Sequence, residues 1–302
     1  MNSLSFNEYE ASLKSIETEN YIDRLFFRPI GFVIAKLLSK TCVTPNAITI
    51  ISIFIGVAAG PLFYFKNIRL TLAGIICLLV ANILDCVDGQ LARLTGKKSK
   101  IGRILDGIAG DIWFVSIYIC LALRLQNEFD TGWFFLLALI SALSHLMQAN
   151  ITDYYKTLHL FFVSKEKGQE FQKFSEIRMQ YEKMKSGIRK KLFFLYMGYT
   201  LFQEVITPRL QKMLAHLTAK YGDDIPEEIR MDFRRKSKLL MKVFIDFMTF
   251  NARAVVLFFA VISGYVWIYF FFEIVILNLI LLISIYLHEK ICSSPFEGSR
   301  GI

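Results

Sequence analysis

Residues 85–111 read DCVDGQLARLTGKKSKIGRILDGIAGD and place four carboxylates, Asp85, Asp88, Asp106 and Asp111, in a chain dominated by apolar residues. Asp85 and Asp88 stand three residues apart, so on a helix both carboxylates share one face. An antiparallel neighbour can bring Asp106 against them. Converging carboxylates repel one another, and a divalent cation relieves that repulsion at least cost. Magnesium suits the set best, because it accepts a few carboxylates, retains water and completes its octahedron with substrate phosphate oxygens. Gly89 and Ala92 remove side-chain bulk on the same stretch. Arg93 could neutralise a phosphate or pair with an aspartate, and Gly102 lets the second helix come close to the first. The acids alone leave two other readings open: ion pairs with Arg93 and Arg103 that only hold helices together, or an ion or proton pathway.

The elements that must position these acids are membrane helices. The 302 residues are 54% hydrophobic, include 28 Phe and have a mean hydropathy of +0.44, more apolar than a soluble globular chain. A span needs about 20 mostly apolar residues, and that length fits near 46–66, 70–92, 104–124, 132–152, 243–264 and 266–287. The predicted fold is all-α: a six-transmembrane-helix polytopic protein with an N-terminal interfacial amphipathic helix and a cytoplasmic helical insertion. Basic residues set its orientation. Arg24, Arg28, Lys36 and Lys40 precede the first span, and Arg93, Lys97, Lys98, Lys100 and Arg103 lie between the second and third. Arg189, Lys190, Lys191, Arg234, Arg235 and Lys236 lie between the fourth and fifth, with Lys290 and Arg300 after the last. All of these are expected on the cytoplasmic side, with both termini inside and the acidic cluster at the cytoplasmic ends of spans two and three. The expected location is the bacterial cytoplasmic membrane.

Residues 1–43 read as a cytoplasmic segment in which YIDRLFFRPIGFVIAKLLSK, 21–40, is too charged to span and suited to lie in the interface. The membrane domain then runs over 44–302. It opens with VTPNAIT, where Thr44 can cap the first span and Pro45 is pre-set for its first turn. Residues 153–242 interleave apolar and charged positions at helical spacing and are expected to form amphipathic helices on the cytoplasmic surface. Within them LFFLYMGYTLFQEVI, 192–206, is too short to span and carries Glu204. The N-terminus is acidic and lacks an apolar core, which excludes a secretory signal peptide. The five cysteines form no CxxC pair and suggest neither a disulfide framework nor a zinc site. The net charge of +9 fits topology or anionic headgroups, and no nucleic-acid recognition motif accompanies it.

Asp85, Asp88, Gly89, Ala92, Arg93, Gly102 and Asp106, in the pattern DxxDGxxAR, eight residues, GxxxD, resemble the signature of the CDP-alcohol phosphatidyltransferase family. VTPNAIT at 43–49 is similar to the start of that family's first span. The resemblance implies a six-span enzyme with a cytoplasm-facing site. There an acceptor hydroxyl attacks a phosphorus of a CDP-linked donor, CMP leaves, and a phosphodiester lipid forms. One of the two substrates is a lipid. It also implies magnesium, or manganese, as two ions held by Asp85, Asp88, Asp106 and Asp111, with Gly89, Ala92 and Arg93 lining the nucleotide and phosphate pocket and Asn46 and Thr49 beside them. A homodimer is implied as well.

One position departs from the family pattern. The last aspartate, the expected general base, belongs at 110, where this chain has Gly110 and an acid one place late, Asp111. Four residues along a helix return to within about 40° of the starting face, whereas five land about 140° away. A π-bulge at Gly107 and Gly110 could restore Asp111 to the face. Alternatively another group or the metal activates the hydroxyl, or the protein binds its ligand without turnover. His145 reads as a helix–helix hydrogen-bond partner, Asp153, Tyr154 and Tyr155 as possible headgroup contacts or interface anchors, and Trp133 and Trp267 as interface anchors. Asn251 and Arg253 either face a cavity or snorkel. Asn150-Ile-Thr152 fits a glycosylation pattern on the wrong side of the membrane. The rival class is a six-span cation transporter, which predicts cation flux without a cytidine nucleotide. A catalytically silent relative that binds lipid or nucleotide is the other alternative.

Overall fold

The structure is a computed structural model that describes residues 8–293 apart from 10, 14, 15, 98, 99, 165–170 and 223. Of the basic residues that set the expected orientation, Lys98 and Arg300, and the side chains of Lys100 and Arg189, lie outside what is described. The described residues form helices and no strands. Six helical runs are long and apolar enough to cross a membrane: Pro45–Tyr64, Ile68–Thr95, Gly102–Phe129, Trp133–Val163, Glu227–Ser263 and Trp267–Cys292. The all-α polytopic fold expected from the sequence is the fold observed, and the chain is an integral membrane protein.

Local chemistry starts the first span where the sequence suggests, and caps and ends the second. Thr44 Oγ1 accepts a hydrogen bond from the Ala47 amide at 3.3 Å, with Pro45 in the first turn. The Asn67 side chain caps the second span by accepting from the Arg69 amide at 2.9 Å. Gly96, at φ +67°, ends it in the left-handed conformation that glycine adopts without strain.

By packing, the chain divides into two compact units. The first comprises residues 1–147 and 249–278. Its first and third spans meet at small residues: a Cβ on Gly56 would stand 2.3 Å from the Trp113 ring, and one on Gly60 would stand 2.5 Å from Ser116 Oγ. Ser116 Oγ donates to the Val57 carbonyl at 2.9 Å across this contact. Phe63, Leu78, Trp113, Tyr118, Leu257 and Tyr269 fill the core. Phe54, Ile76, Ile119 and Phe259 are exposed, as side chains that meet lipid should be. Trp133 and Trp267 are also exposed, in keeping with interface anchors.

The N-terminal segment belongs to the same unit. A π-helical turn, Asp23–Phe27, leads into the helix Arg28–Leu38. Gly31, Phe32 and Ala35 are buried while Leu25, Phe26, Val33 and Leu37 are exposed, the amphipathic division expected of an in-plane helix. Its buried face lies on the second span, where a Cβ on Gly31 would come within 2.5 Å of Gln90 Oε1. Gln90 Nε2 donates to Ser12 Oγ and to the Arg28 carbonyl, each at 3.1 Å. Arg93 Nε donates to the Ser12 carbonyl.

The second unit comprises residues 148–248 and 279–302 and contains the 153–242 stretch. After the end of the Trp133–Val163 helix come the helices Phe174–Glu182, Ile188–Val205, Pro208–Tyr221 and Glu227–Phe247. The Ile188–Val205 helix is not among the six that could span. Leu210, Met213, Leu214 and Leu217 form one buried stripe at helical spacing. The rings of Phe162 and Phe233 stack at 4.0 Å, and Tyr155 packs on Phe244 at 4.9 Å. Tyr154 and Tyr155 are buried, not placed as interface anchors, because helices from the insertion cover them; Gln211 Nε2 donates to Tyr154 Oη at 2.6 Å. Asp153 is exposed. Asn150 is buried as well, donating to the Tyr199 carbonyl at 3.3 Å.

Candidate metal and phosphate site

The second and third spans bring Asp85, Asp88 and Asp106 together, with one carboxylate oxygen from each lying within 4.8 Å of the others. Asp88 is buried, Asp85 half-buried and Asp106 exposed. The spacing explains the grouping: Asp85 and Asp88 lie nearly one turn apart on one helix, and Asp106 enters near the start of the next. The first span contributes Thr49, whose hydroxyl donates to Asp88 Oδ2. Asn46, half-buried, lies one turn before Thr49 on the same helix.

Arg93 folds back along its own helix. A Cβ on Gly89 would stand 3.1 Å from Arg93 Nη2, so the absence of a side chain at 89 makes room for the guanidinium. That guanidinium is close enough to act electrostatically on Asp88. Ala92, half-buried, adjoins Arg93 on the next turn. Three hard oxygen donors at this spacing fit a divalent metal.

Asp111 lies elsewhere. The third-span helix is continuous and α-helical through 107–111, with no π turn. A residue five places beyond Asp106 is therefore carried about 140° round the helix. Asp111 Oδ1 stands 3.4 Å from His145 Nε2 instead. The structure thus brings together three of the four acids expected to hold metal and leaves the fourth beside a histidine.

His145 is the centre of a buried polar seam in the first unit. Its Nδ1 is 2.9 Å from Tyr118 Oη and 3.6 Å from Glu273 Oε1. Arg253 Nε donates to both oxygens of Glu273 at 3.3 Å, and neither side chain exceeds 2% exposure. Asn251 Nδ2 donates to Asp23 Oδ1 at 2.8 Å. Asn251 and Arg253 are thus both buried among partners and do not snorkel. Glu273 is the residue that sequence reasoning passed over. Its signal was a single acid inside the apolar run FFFEIVIL, and an intramembrane acid calls for a partner.

Comparison with known proteins identifies the family. A family model for CDP-alcohol phosphatidyltransferase matches residues 42–206, from the start of the first span to the end of the Ile188–Val205 helix. The archaetidylinositol phosphate synthase of Pyrococcus horikoshii is 44% identical over 90 residues, 30% of this chain and 46% of that protein. The bifunctional IPC transferase and DIPP synthase of Thermococcus kodakarensis is 30% identical over 138 residues, 46% of this chain and 30% of that protein. The archaetidylinositol phosphate synthase of Aeropyrum pernix is 30% identical over 94 residues, 30% of this chain and 47% of that protein. The chain spans about half the length, or less, of the curated relatives it matches. With a family match over more than half of its residues and the three signature aspartates gathered in space, the chain belongs to the CDP-alcohol phosphatidyltransferase family.

Proposed function

We propose that this protein transfers a phosphatidyl or phospho-alcohol group from a CDP-linked donor to a hydroxyl acceptor, releasing CMP, in the synthesis of a membrane lipid. The observation that carries this reading is the convergence of Asp85, Asp88 and Asp106 at metal-ligand distance. Asp85, Asp88 and Asp106 would hold magnesium, which when bound offsets charge on the phosphates and on the departing nucleotide. Three protein carboxylates suffice for one ion, and a second would draw its oxygens from the substrate phosphates and water. Thr49 orients Asp88, Arg93 meets a phosphate, and Gly89, Ala92 and Asn46 line the pocket around the nucleotide. Phosphoryl transfer through a loose transition state depends chiefly on positioning and charge stabilisation. A site without an acid at 110 is therefore compatible with turnover, and Asp111 is assigned a positioning role beside His145.

The similarity to two archaetidylinositol phosphate synthases favours a phosphorylated polyol as the acceptor and a CDP-linked lipid as the donor. Lys97 and Arg103, flanking the turn between the second and third spans, suit such an anionic acceptor. The site is proposed to face the cytoplasm with both termini inside, on the positive-inside rule. The matched relatives are archaeal, so they lend no support to the bacterial membrane expected from the sequence. The division into a cytoplasmic segment, 1–43, and a membrane domain with an inserted 153–242 belongs to the same proposal, as does a homodimer on family grounds.

The test is release of labelled CMP by purified protein in mixed lipid with magnesium. CDP-archaeol, CDP-diacylglycerol, CDP-choline and CDP-ethanolamine are offered separately with a panel of acceptors that includes inositol phosphate. Release from a CDP-lipid that depends on a phosphorylated polyol is the expected result. No release from any donor under any acceptor would overturn the proposal.

A further inference from the structure

The second unit contains another group of metal-ligand side chains. His288, Glu289 and Cys292, all buried at the end of the last helix, bring an imidazole nitrogen, a carboxylate oxygen and a sulfur within 4.8 Å of one another. We infer that His288, Glu289 and Cys292 form a zinc site, separate in residues and in chemistry from the aspartate cluster.

The donor set selects the ion. A thiolate and an imidazole with one carboxylate suit zinc, whereas magnesium and calcium take oxygen alone. Two ligands on a tetrahedral zinc, with Zn–S near 2.3 Å and Zn–N near 2.0 Å, stand roughly 3.5 Å apart. The Cys292 Sγ to His288 Nδ1 separation is 3.5 Å. These residues are one turn apart on a helix, so both project from one face. Charge balances too, since Zn²⁺ with a thiolate, a carboxylate and neutral imidazole is net neutral, a requirement of a buried site. Binding releases the thiol proton to solvent as the Zn–S bond forms.

The surroundings hold the ligands in place. The His288 ring packs on Tyr155 at 4.0 Å and against Phe233 at 5.9 Å. Glu289 accepts from the amides of Arg209 and Leu210 at 2.7 and 3.2 Å, which fixes its carboxylate while leaving lone pairs for a metal. With three protein ligands, water would complete the tetrahedron. Zinc here would tie the last helix to its neighbours in this unit.

The test is metal content of the full chain, purified in detergent through an affinity tag without histidines and without chelator. About one zinc per chain is expected. It should be lost in Cys292→Ser and His288→Ala and retained in Asp85→Asn, whatever becomes of CMP release. Adding cobalt to folded, zinc-stripped protein should give a near-ultraviolet thiolate-to-cobalt band that is absent from Cys292→Ser. This measurement on the unsubstituted chain does not depend on how the variants fold. Protein without zinc that also yields no cobalt band, or zinc that persists in both variants, would overturn the site and leave a thiol–imidazole hydrogen bond alone.

Discussion

The hydroxyl of Thr49, on the first span, donates to the carboxylate of Asp88 on the second, across 39 residues of sequence. This bond fixes the most buried of the three clustered acids from a helix that itself carries none of them. Thr49→Val keeps the shape and removes the donor. A hydrogen bond to a charged group contributes about 1.5–3 kcal/mol. The expected outcome is a magnesium half-saturation raised about tenfold in the CMP-release assay, with turnover at saturating magnesium largely kept. An unchanged magnesium dependence would show that Asp88 needs no support from Thr49.

Asp85→Asn and Asp106→Asn should reduce CMP release by about two to three orders of magnitude, the scale associated with loss of a group that holds transition-state charge. Asp111→Asn should retain more than about a tenth of wild-type turnover, since general-base catalysis is worth about 10²–10⁴-fold where it operates. A collapse of activity in Asp111→Asn with unchanged magnesium affinity would instead make Asp111 the base.

Chelation is expected to abolish CMP release, and added magnesium to restore it. Calcium, larger and looser in its coordination, should restore binding of the nucleotide without comparable turnover. Full activity in excess chelator would remove the metal from the proposed chemistry.

Arg253 and Glu273 form a pair with almost no exposure. Removing one partner leaves a buried charge, at a cost of about 3–5 kcal/mol, whereas replacing both with apolar residues is far milder. Arg253→Met or Glu273→Met should each lower the thermal unfolding midpoint in detergent, and the double variant should recover much of the loss. Additive losses would show that the two side chains act independently.

Gly56→Ala would drive a Cβ into the Trp113 ring, while a Cβ at Gly198 meets nothing within 4 Å. Gly56→Ala is expected to destabilise by about 1–3 kcal/mol, and Gly198→Ala to leave stability level or slightly higher. Equal midpoints for the two variants would contradict the close packing of the first and third spans.

The spans and the aspartate cluster were legible because both depend on local pattern. A run of apolar residues meets a fixed membrane thickness, and Asp85 and Asp88 share a helix face by spacing alone. What escaped was set by contacts between distant segments. Glu273 is a lone acid in the sequence, and only the fold supplies Arg253, 20 residues away. Tyr154 and Tyr155 sit where interface anchors are expected, and their burial depends on how the insertion folds back. Cys292 is one of five cysteines without a CxxC pair, so its spacing to other cysteines suggests no metal site. Its relation to His288 and Glu289 lies within one helical turn, but a search for paired cysteines does not detect it. The position of Asp111 followed from helix geometry once no π turn intervened.

The hydrogen bonds that Gln90 and Arg93 make to Ser12 have a consequence for the order in which the chain is assembled. Ser12 leaves the ribosome long before the second span exists, so the segment made first has no seat until residues 90 and 93 have followed it. Through that interval the buried face of the Arg28–Leu38 helix lacks the second-span residues it packs on in the finished fold. The N-terminal segment is thus made before its seat and cannot dock until residues 90 and 93 exist, so its docking marks the arrival of the helix bearing Asp85 and Asp88.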